Sequence, residues 1–498
     1  MSEERAASGQ AHRRAPGTAA LLSGFLPGLG QAWLGARRRG LLIAFPLVVG
    51  IGAIAAAVAM NPVGTLAAIT KPGGLVLVLV VLLVLAIYHL AAIADAFRLG
   101  VRLIRASAGA GTGVGGAVDV RRASARRSPV LLVVLTAVVA FYGAIEFVGM
   151  RAYEASNVIF VNPDTGFQIP SASFTPGPTL TQAPGTTIGP VTEPPAPTAT
   201  PIPQPVWAQD GRLNLLLIGS DAGPGRWLAR TDTMVVLSVD VASGRAALFG
   251  VPRNLLNVPL PPESAGAFAN GRYPGLLNSL YVYAVQHPKQ FPGGDAAGFR
   301  AVSGAIQELI GQPLDGAIVV NLNGFVDLVQ AVGGLWIDIP YSLYDDHYPK
   351  PDGTGYITIS FKPGCQHLDG IHALEYARSR HQDSDYGRMR RQQRVLIALA
   401  HELDPIALLP QVPKLLDIAQ DNLWTTVDQN EIANLAVLAA RVDSHDIQSI
   451  SFAPPTYPEY LSTSEIKRIQ KAVATVFDSP SAEPSATPDV TPKPCPKS

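Results

Sequence analysis

The chain has 498 residues, 48% of them hydrophobic and only 15% charged. An ordinary soluble domain carries about 25% charged residues, so this composition excludes a chain that is soluble throughout, and it also excludes one that is mainly disordered. Lys+Arg and Asp+Glu both number 38, and a neutral chain is a poor general nucleic-acid binder, so no nucleic-acid partner is expected. The neutrality hides a split: residues 1–128 carry fourteen basic and four acidic side chains, and the remainder is acidic by the same margin. Two cysteines, Cys365 and Cys495, are too few for a disulfide scaffold or a cysteine-rich zinc site. The length suggests about two to four units.

The first unit is a membrane region over 1–150. Residues 41–60 and 75–94 carry no charge, and 129–150 carries only Glu146. Each is long enough as a helix to cross about 30 Å of hydrocarbon, which predicts three transmembrane helices. Arg98, Arg102, Arg105, Arg121, Arg122, Arg126 and Arg127 lie between the second and third spans, whereas the loop between the first and second holds only Lys71. Basic loops stay inside, so the N-terminus is expected in the cytoplasm and everything after about residue 151 outside the membrane. Residues 18–35 are apolar but broken at Pro27-Gly28-Leu29-Gly30, with arginines on both sides. Both ends then belong in the cytoplasm, which suits a re-entrant or interfacial element. No cleavable signal pattern is expected, because the first apolar stretch starts late.

Residues 151–206 form a Pro/Thr-rich segment with no hydrophobic period. It is expected to run extended as an extracytoplasmic stalk. Residues 479–498 have the same character and are expected to be disordered. Cys365 and Cys495 both fall outside the membrane and could pair there. With one of them in the tail, the expectation is against a structural bridge.

Between stalk and tail, 207–478 reads as a globular domain. Strands are expected at 213–218, 233–239, 245–251, 317–320, 335–339, 357–361 and 447–452. Helices are expected at 296–310, 324–332, 369–376, 387–402, 414–419 and 431–441. This alternation predicts an α/β fold, a three-layer α/β/α extracytoplasmic domain with a mixed central sheet.

Polar residues collect at the ends of these elements: Gly219-Ser220-Asp221, Arg230-Thr231-Asp232-Thr233, Pro252-Arg253-Asn254, and Tyr376 through Gln393. Arg230, Arg253, Arg378, Arg380, Arg388 and Arg391 stand out in a domain that is acidic overall. Guanidinium forks suit phosphate oxygens, and Asp221 with Asp232 suits Mg²⁺, which takes one or two carboxylates plus phosphate oxygens. The set reads as pyrophosphate handling without a nucleotide P-loop. A single Arg–Asp pair of this kind is more often a surface salt bridge than a catalytic pair. Six arginines over four segments, each beside an apolar element, are harder to account for that way.

The runs NLLLIGSD, RTDTMVVLSVD and GVPRN, then AIVVNLNGFVDLVQAVGGLWIDIP, then FKPGCQHLDGIHALEYARSRHQDSDYGRMRRQQ resemble the LytR-CpsA-Psr family in the right order. The resemblance implies an α/β/α core with a deep apolar groove for a polyprenyl chain. It also implies a membrane-tethered phosphotransferase, which moves an anionic glycopolymer from an undecaprenyl pyrophosphate carrier to peptidoglycan with Mg²⁺. A polyprenyl pyrophosphate phosphatase and a non-catalytic envelope regulator or glycan-binding protein are the alternatives. By the resemblance, Asp221 and Asp232 are metal ligands, Asp232, Arg253, Arg378 and Arg380 are catalytic, and Arg230, Arg253, Arg378 and Arg380 bind pyrophosphate. Arg388, Arg391 and Gln392 belong to a later substrate-binding cluster. Asn254 stands where the family usually shows Asp. The run Asp338–Pro349 also matches and is expected to form a loop near the groove. If Arg378 and Arg380 share one diphosphate, the helix begun near Asp369 must end at about Tyr376, since residues two apart diverge on a regular helix.

Overall fold

The computed structural model describes residues 15–61, 64–65, 68–69, 71–109, 129–160, 207, 210–220, 231–350, 354–403, 411–478 and Cys495. The chain divides into two compact units, Met1–Glu154 and Ala155–Ser498.

The first unit is helical: α1 (Pro16–Phe25), α2 (Leu29–Trp33), α3 (Arg37–Met60), α4 (Pro72–Gly109) and α5 (Pro129–Ile159). The last three are each long and apolar enough to cross a membrane. All three outrun their apolar stretches. The 38-residue α4 continues through Arg98, Arg102 and Arg105, a length of about 57 Å at 1.5 Å per residue. α5 runs nine residues into the segment expected to be stalk. Arg and Glu are good helix formers, so loss of hydrophobicity does not end a helix unless a breaker follows. Residues 161–206 lie outside the described residues.

The 18–35 element is two short helices broken at Pro27-Gly28, where Gly28 has φ 96°. A Cβ on Gly30 would lie 2.0 Å from the Ala19 carbonyl oxygen, so only glycine allows α1 and α2 to close on each other. The polar groups of this hairpin are satisfied against α4. Ser23 Oγ donates to Gln31 Oε1 at 3.0 Å, and Gln31 Nε2 donates to the Ala92 carbonyl at 2.9 Å and to Asp95 at 3.1 Å. His89 meets the Ser23 carbonyl at 3.0 Å.

The second unit has a six-stranded mixed sheet in the order β11–β6–β1–β2–β3–β12. Its strands are β1 (Arg212–Ser220), β2 (Thr231–Asp240), β3 (Ala246–Gly250), β6 (Gly316–Asn321), β11 (Leu423–Thr425) and β12 (Ile447–Ser451). β2 runs antiparallel to β1 and β3. β6 is parallel to β1, β12 is parallel to β3, and β11 is antiparallel to β6. The central strands are apolar at consecutive positions because both faces are covered. Leu216, Ile218, Met234, Val236 and Phe249 face one helical layer, formed by α6 (Leu277–Gln286), α7 (Ala297–Ile310) and α13 (Thr463–Ala474). Leu215, Val235, Val239 and Leu248 face the other, where α10 (Asp385–Glu402) and α12 (Ile432–Ala439) pack. The predicted three-layer α/β/α arrangement is therefore the observed one.

A third apolar cluster lies beside the sheet. It joins α8 (Leu322–Ala331), α9 (Gly370–Arg378) and α10 to two hairpin-like pairs, β7 (Leu335–Ile339) with β10 (Gly364–Leu368) and β8 (Leu343–Pro349) with β9 (Tyr356–Phe361). The Asp338–Pro349 run is thus mostly strand, not the expected loop. β8 pairs with β9 and turns Leu343, Asp345 and Tyr348 inward, leaving Tyr344 and Asp346 in solvent. The two remaining short strands are β4 (Val258–Pro259) and β5 (Arg272–Tyr273), and α11 covers Val412–Asn422.

The expectation against a cysteine bridge is overturned: Cys365 and Cys495 form a disulfide, with Cα atoms 5.6 Å apart. Cys365 lies on the exposed face of β10, where the tail can reach it.

Asp315, in the turn before β6, accepts from the Asn214 N–H at 2.7 Å. Burial pushes its carboxyl up to about 6, against the pull of that N–H. The folded state therefore takes up a proton at Asp315 that the unfolded state releases, and this group's contribution to stability falls as pH rises from about 4 to 6. Asp315→Asn keeps an acceptor and removes the titration. Thermal melts from pH 4 to 7 are expected to show wild type losing stability relative to Asp315→Asn across that window. Parallel curves would remove Asp315 as the cause.

Candidate active site

The site forms where β1 and β2 reach the same end of the sheet. Their pairing is regular through Gly219↔Thr233, then shifts so that Ser220 faces Thr231, which leaves Asp232 as the extra residue of a bulge. A Cβ on Gly219 would lie 2.9 Å from Thr233 Cβ, so glycine is needed for the two strands to stay this close. Gly219, Ser220 and Thr233 line one wall of a cavity of about 600 Å³. Asp221 and Arg230 lie outside the described residues, as does the Asp232 side chain.

Arg253, Arg378, Arg380 and Arg388 line the same cavity, as does Gln392. Arg253 follows β3, Arg378 and Arg380 sit at the end of α9, and Arg388 and Gln392 stand on α10. Asp385, in the first turn of α10, gathers three of these guanidinium groups. Arg253 donates to its Oδ2 through Nε at 3.1 Å and Nη2 at 3.0 Å. Arg388 Nη1 is 3.2 Å and Arg380 Nε 3.8 Å from its Oδ1. Burial alone would push the Asp385 carboxyl up. The Arg253 hydrogen bond and the charges of Arg388, Arg253 and Arg380 outweigh that and hold it below the usual carboxylate range. Four guanidinium groups line the cavity, with Asp345 in the same lining and Asp385 beside it, an arginine-rich set suited to phosphate oxygens.

α9 ends two residues later than the sequence predicted, at Arg378. The backbone turns extended at Ser379 (φ −49°, ψ 142°). Arg378 is the last helical residue and Arg380 lies beyond the turn, which is how residues two apart face one cavity. The Arg378 side chain hydrogen-bonds Tyr348, whose hydroxyl pKa is raised by burial despite the arginine.

Asp345 fixes this turn. It is 2% exposed and accepts from the Ser379 hydroxyl at 2.7 Å and from the backbone N–H groups of Arg380 at 3.2 Å, His381 at 3.4 Å and His347 at 2.9 Å. Burial pushes its carboxyl up, and the Ser379 hydroxyl with these N–H groups more than offsets that, so it stays ionised below its ordinary pKa. Sequence reasoning missed Asp345. The signal was its inward position, two residues after Leu343 on a strand.

Arg391 lies elsewhere. It is buried, donates to the Tyr376 carbonyl at 2.8 Å, to the Ser379 carbonyl and to Asp383, and lines a neighbouring cavity of about 290 Å³ with Arg390 and Arg394. It braces the chain just before Arg380. Asn254 donates to the Tyr386 hydroxyl at 3.0 Å and to Glu459 at 3.1 Å, so the negative charge beside it is carried by Glu459. Tyr386 also donates to Glu459, and its hydroxyl pKa is raised by burial and by that carboxylate.

The chain is 25% identical over 235 residues to biofilm regulatory protein A of Streptococcus mutans, covering 45% of this chain and 52% of that protein. It is 27% identical over 224 residues to the polyisoprenyl-teichoic acid–peptidoglycan teichoic acid transferase TagV of Bacillus subtilis, covering 45% of this chain and 51% of TagV. These alignments span about half the length of each relative. The crystal structure of Bacillus subtilis TagV aligns with a TM-score of 0.40 at 22% identity, over 54% of this chain and 97% of that one. The LytR_cpsA_psr family model matches residues 193–474, more than half of the chain, and the chain therefore belongs to the LytR_cpsA_psr family.

Proposed function

We propose that the chain is a membrane-anchored phosphotransferase that moves an anionic glycopolymer from an undecaprenyl pyrophosphate carrier to peptidoglycan. The observation that carries this reading is the convergence of Arg253, Arg380 and Arg388 on Asp385 in a cavity that Arg378 also lines. Asp385 holds the guanidinium groups in place before substrate arrives, so their ordering is already complete. A diphosphate entering the cavity gains charge-assisted hydrogen bonds from these guanidinium groups. A sugar hydroxyl of the acceptor attacks the phosphorus next to the glycan, the bond to the bridging oxygen breaks, polyprenyl phosphate leaves and the hydroxyl proton is released. The arginines stabilise the charge that builds on the leaving phosphate. The name of TagV describes transfer of this class, which supports the reading.

The residue types fit Mg²⁺: Ser220 and Thr233, which line the cavity, and Asp232, which precedes Thr233 in sequence, all offer hard oxygen donors. Asp232, with Asp221 following β1, would hold the ion, which would neutralise diphosphate charge. The test is the purified full-length chain with lipid-linked glycopolymer and peptidoglycan oligomers, with and without Mg²⁺. Glycopolymer–peptidoglycan product is expected, and Asp232→Ala, still folded by circular dichroism, is expected to lose at least about 100-fold in turnover. Release of free glycan phosphate would make the chain a pyrophosphatase, and no turnover would sink the enzyme reading.

The arginine bias supports an N-terminus in the cytoplasm and a domain outside. The Cys365–Cys495 disulfide supports this, since such bonds persist in oxidising compartments. A cysteine introduced between 161 and 206 is expected to react with an impermeant thiol reagent on intact cells, and protection would reverse the topology.

A further inference from the structure

Two histidines that the phosphotransferase reading does not use stand on the wall of the arginine cavity. His347 on β8 and His381 in the turn after α9 both line it, and their rings stack with centroids 4.6 Å apart. Both point a nitrogen at one oxygen, Asp346 Oδ1: His347 Nδ1 at 2.7 Å and His381 Nε2 at 3.3 Å. All three donor atoms lie within 4.8 Å of one another. The edges of a tetrahedral zinc site are about 3.3 Å, from metal–ligand bonds of about 2.0–2.1 Å, so only small side-chain shifts separate this arrangement from a coordination shell.

Two segments far apart in sequence supply these donors, and a single buried group holds them together. Asp345 accepts the backbone N–H of His347 on one oxygen and that of His381 on the other. The histidines are thus presented by a fixed frame while their rings remain open to solvent, which leaves an entry path for an ion. The donor set is selective: two imidazole nitrogens and one carboxylate suit Zn²⁺ and its neighbours and are poor ligands for Mg²⁺, which takes oxygen. Three protein ligands leave a fourth position open, as in catalytic zinc sites.

We infer that Asp346, His347 and His381, a donor set that shares no residue with Asp221 and Asp232, form a site for a Zn²⁺-class cation on the wall of the arginine cavity. The cation adds positive charge beside Arg380 and offers its open position to an anionic oxygen of whatever the cavity holds. The inference does not depend on the transfer reaction.

The test uses the full-length chain in detergent, without an affinity tag, after treatment with chelator and dialysis. Zn²⁺ alone is titrated calorimetrically, and Co²⁺ is added separately to read the visible absorption of a tetrahedral site. Wild type is expected to take one equivalent of Zn²⁺. The double variant His347→Gln/His381→Gln is expected to lose at least about 100-fold in affinity and the Co²⁺ band; losing two direct ligands should cost at least the 10–100-fold of a lost supporting contact. Both rings are exposed, so unchanged melts of the apo proteins should confirm an intact fold. Millimolar Mg²⁺ is expected to leave the Zn²⁺ isotherm unchanged. Equal zinc binding by the double variant, no saturable binding by wild type, or displacement by Mg²⁺ would each overturn the site. No lipid-linked substrate is present, so a chain that transfers glycopolymer but takes no zinc refutes only this inference. One that takes zinc but transfers nothing refutes only the phosphotransferase reading.

Discussion

Arg378→Lys and Arg380→Lys are each expected to lower kcat/KM for a polyprenyl pyrophosphate substrate by about 10- to 100-fold, with the fold intact. Lysine keeps the charge but loses the planar fork that can meet two phosphate oxygens at once. A hydrogen bond to a charged group contributes about 1.5–3 kcal/mol, and each 1.4 kcal/mol is tenfold in rate. The geometry makes both residues answerable. α9 stops at Arg378, Ser379 is extended, and the two side chains reach the same cavity from either side of that break. Arg380 additionally shares Asp385 with Arg253 and Arg388, so its lysine variant also loosens the cluster. If both variants turn over like wild type, only net positive charge matters and the clamp is wrong.

The second large effect is at Asp345. Asp345→Ala leaves a buried hydroxyl and three backbone N–H groups without their acceptor, and is expected to destabilise the domain by about 3 kcal/mol or more. Asp345→Asn retains one acceptor oxygen and is expected to fall between. Because the folded-state pKa is depressed, the contribution of this group is fully present above its unfolded value, about 3.9. It is lost as pH falls below that through the folded value. The gap between wild type and Asp345→Asn in chemical denaturation should therefore be constant from pH 7 to 5 and close below pH 4. Loss of turnover in Asp345→Asn beyond its loss of stability would mark the residue as positioning Arg380. A gap that does not depend on pH would mean the carboxylate charge is immaterial.

The sheet and its covering helices were legible because β1, β2 and β3 are apolar at consecutive positions and the helices repeat near 3.6 residues, patterns that burial alone imposes. The membrane helices were legible for the same reason, but their ends were not, since Arg98 to Arg105 and Arg151 to Glu154 continue a helix that composition says is finished. Of the site, the arginines could be found as charges beside apolar elements, whereas Asp385 is one of two acids in the polar run from Tyr376 to Gln393. Asp345 and Arg391 were harder. A buried ion that serves the backbone looks in sequence like any surface charge, and only the pairing of β8 with β9 reveals which way Asp345 faces. β8 carries little strand signal in sequence, since four of its seven residues are polar or proline, and it pairs with β9 along its length. The cysteine bridge was missed because chain separation says nothing about where a tail returns.

That bridge changes the covalent topology of the molecule. Cys365 and Cys495 are 130 residues apart, and the closed ring contains α9, α10, β12 and α13, hence Arg378, Arg380, Asp385 and Arg388. A single peptide-bond cleavage anywhere within the ring opens it without dividing the molecule. Its two pieces would migrate as one band until a reductant is added. Arg253, on the other side of Cys365, would stay tethered to Asp385 through such a nick.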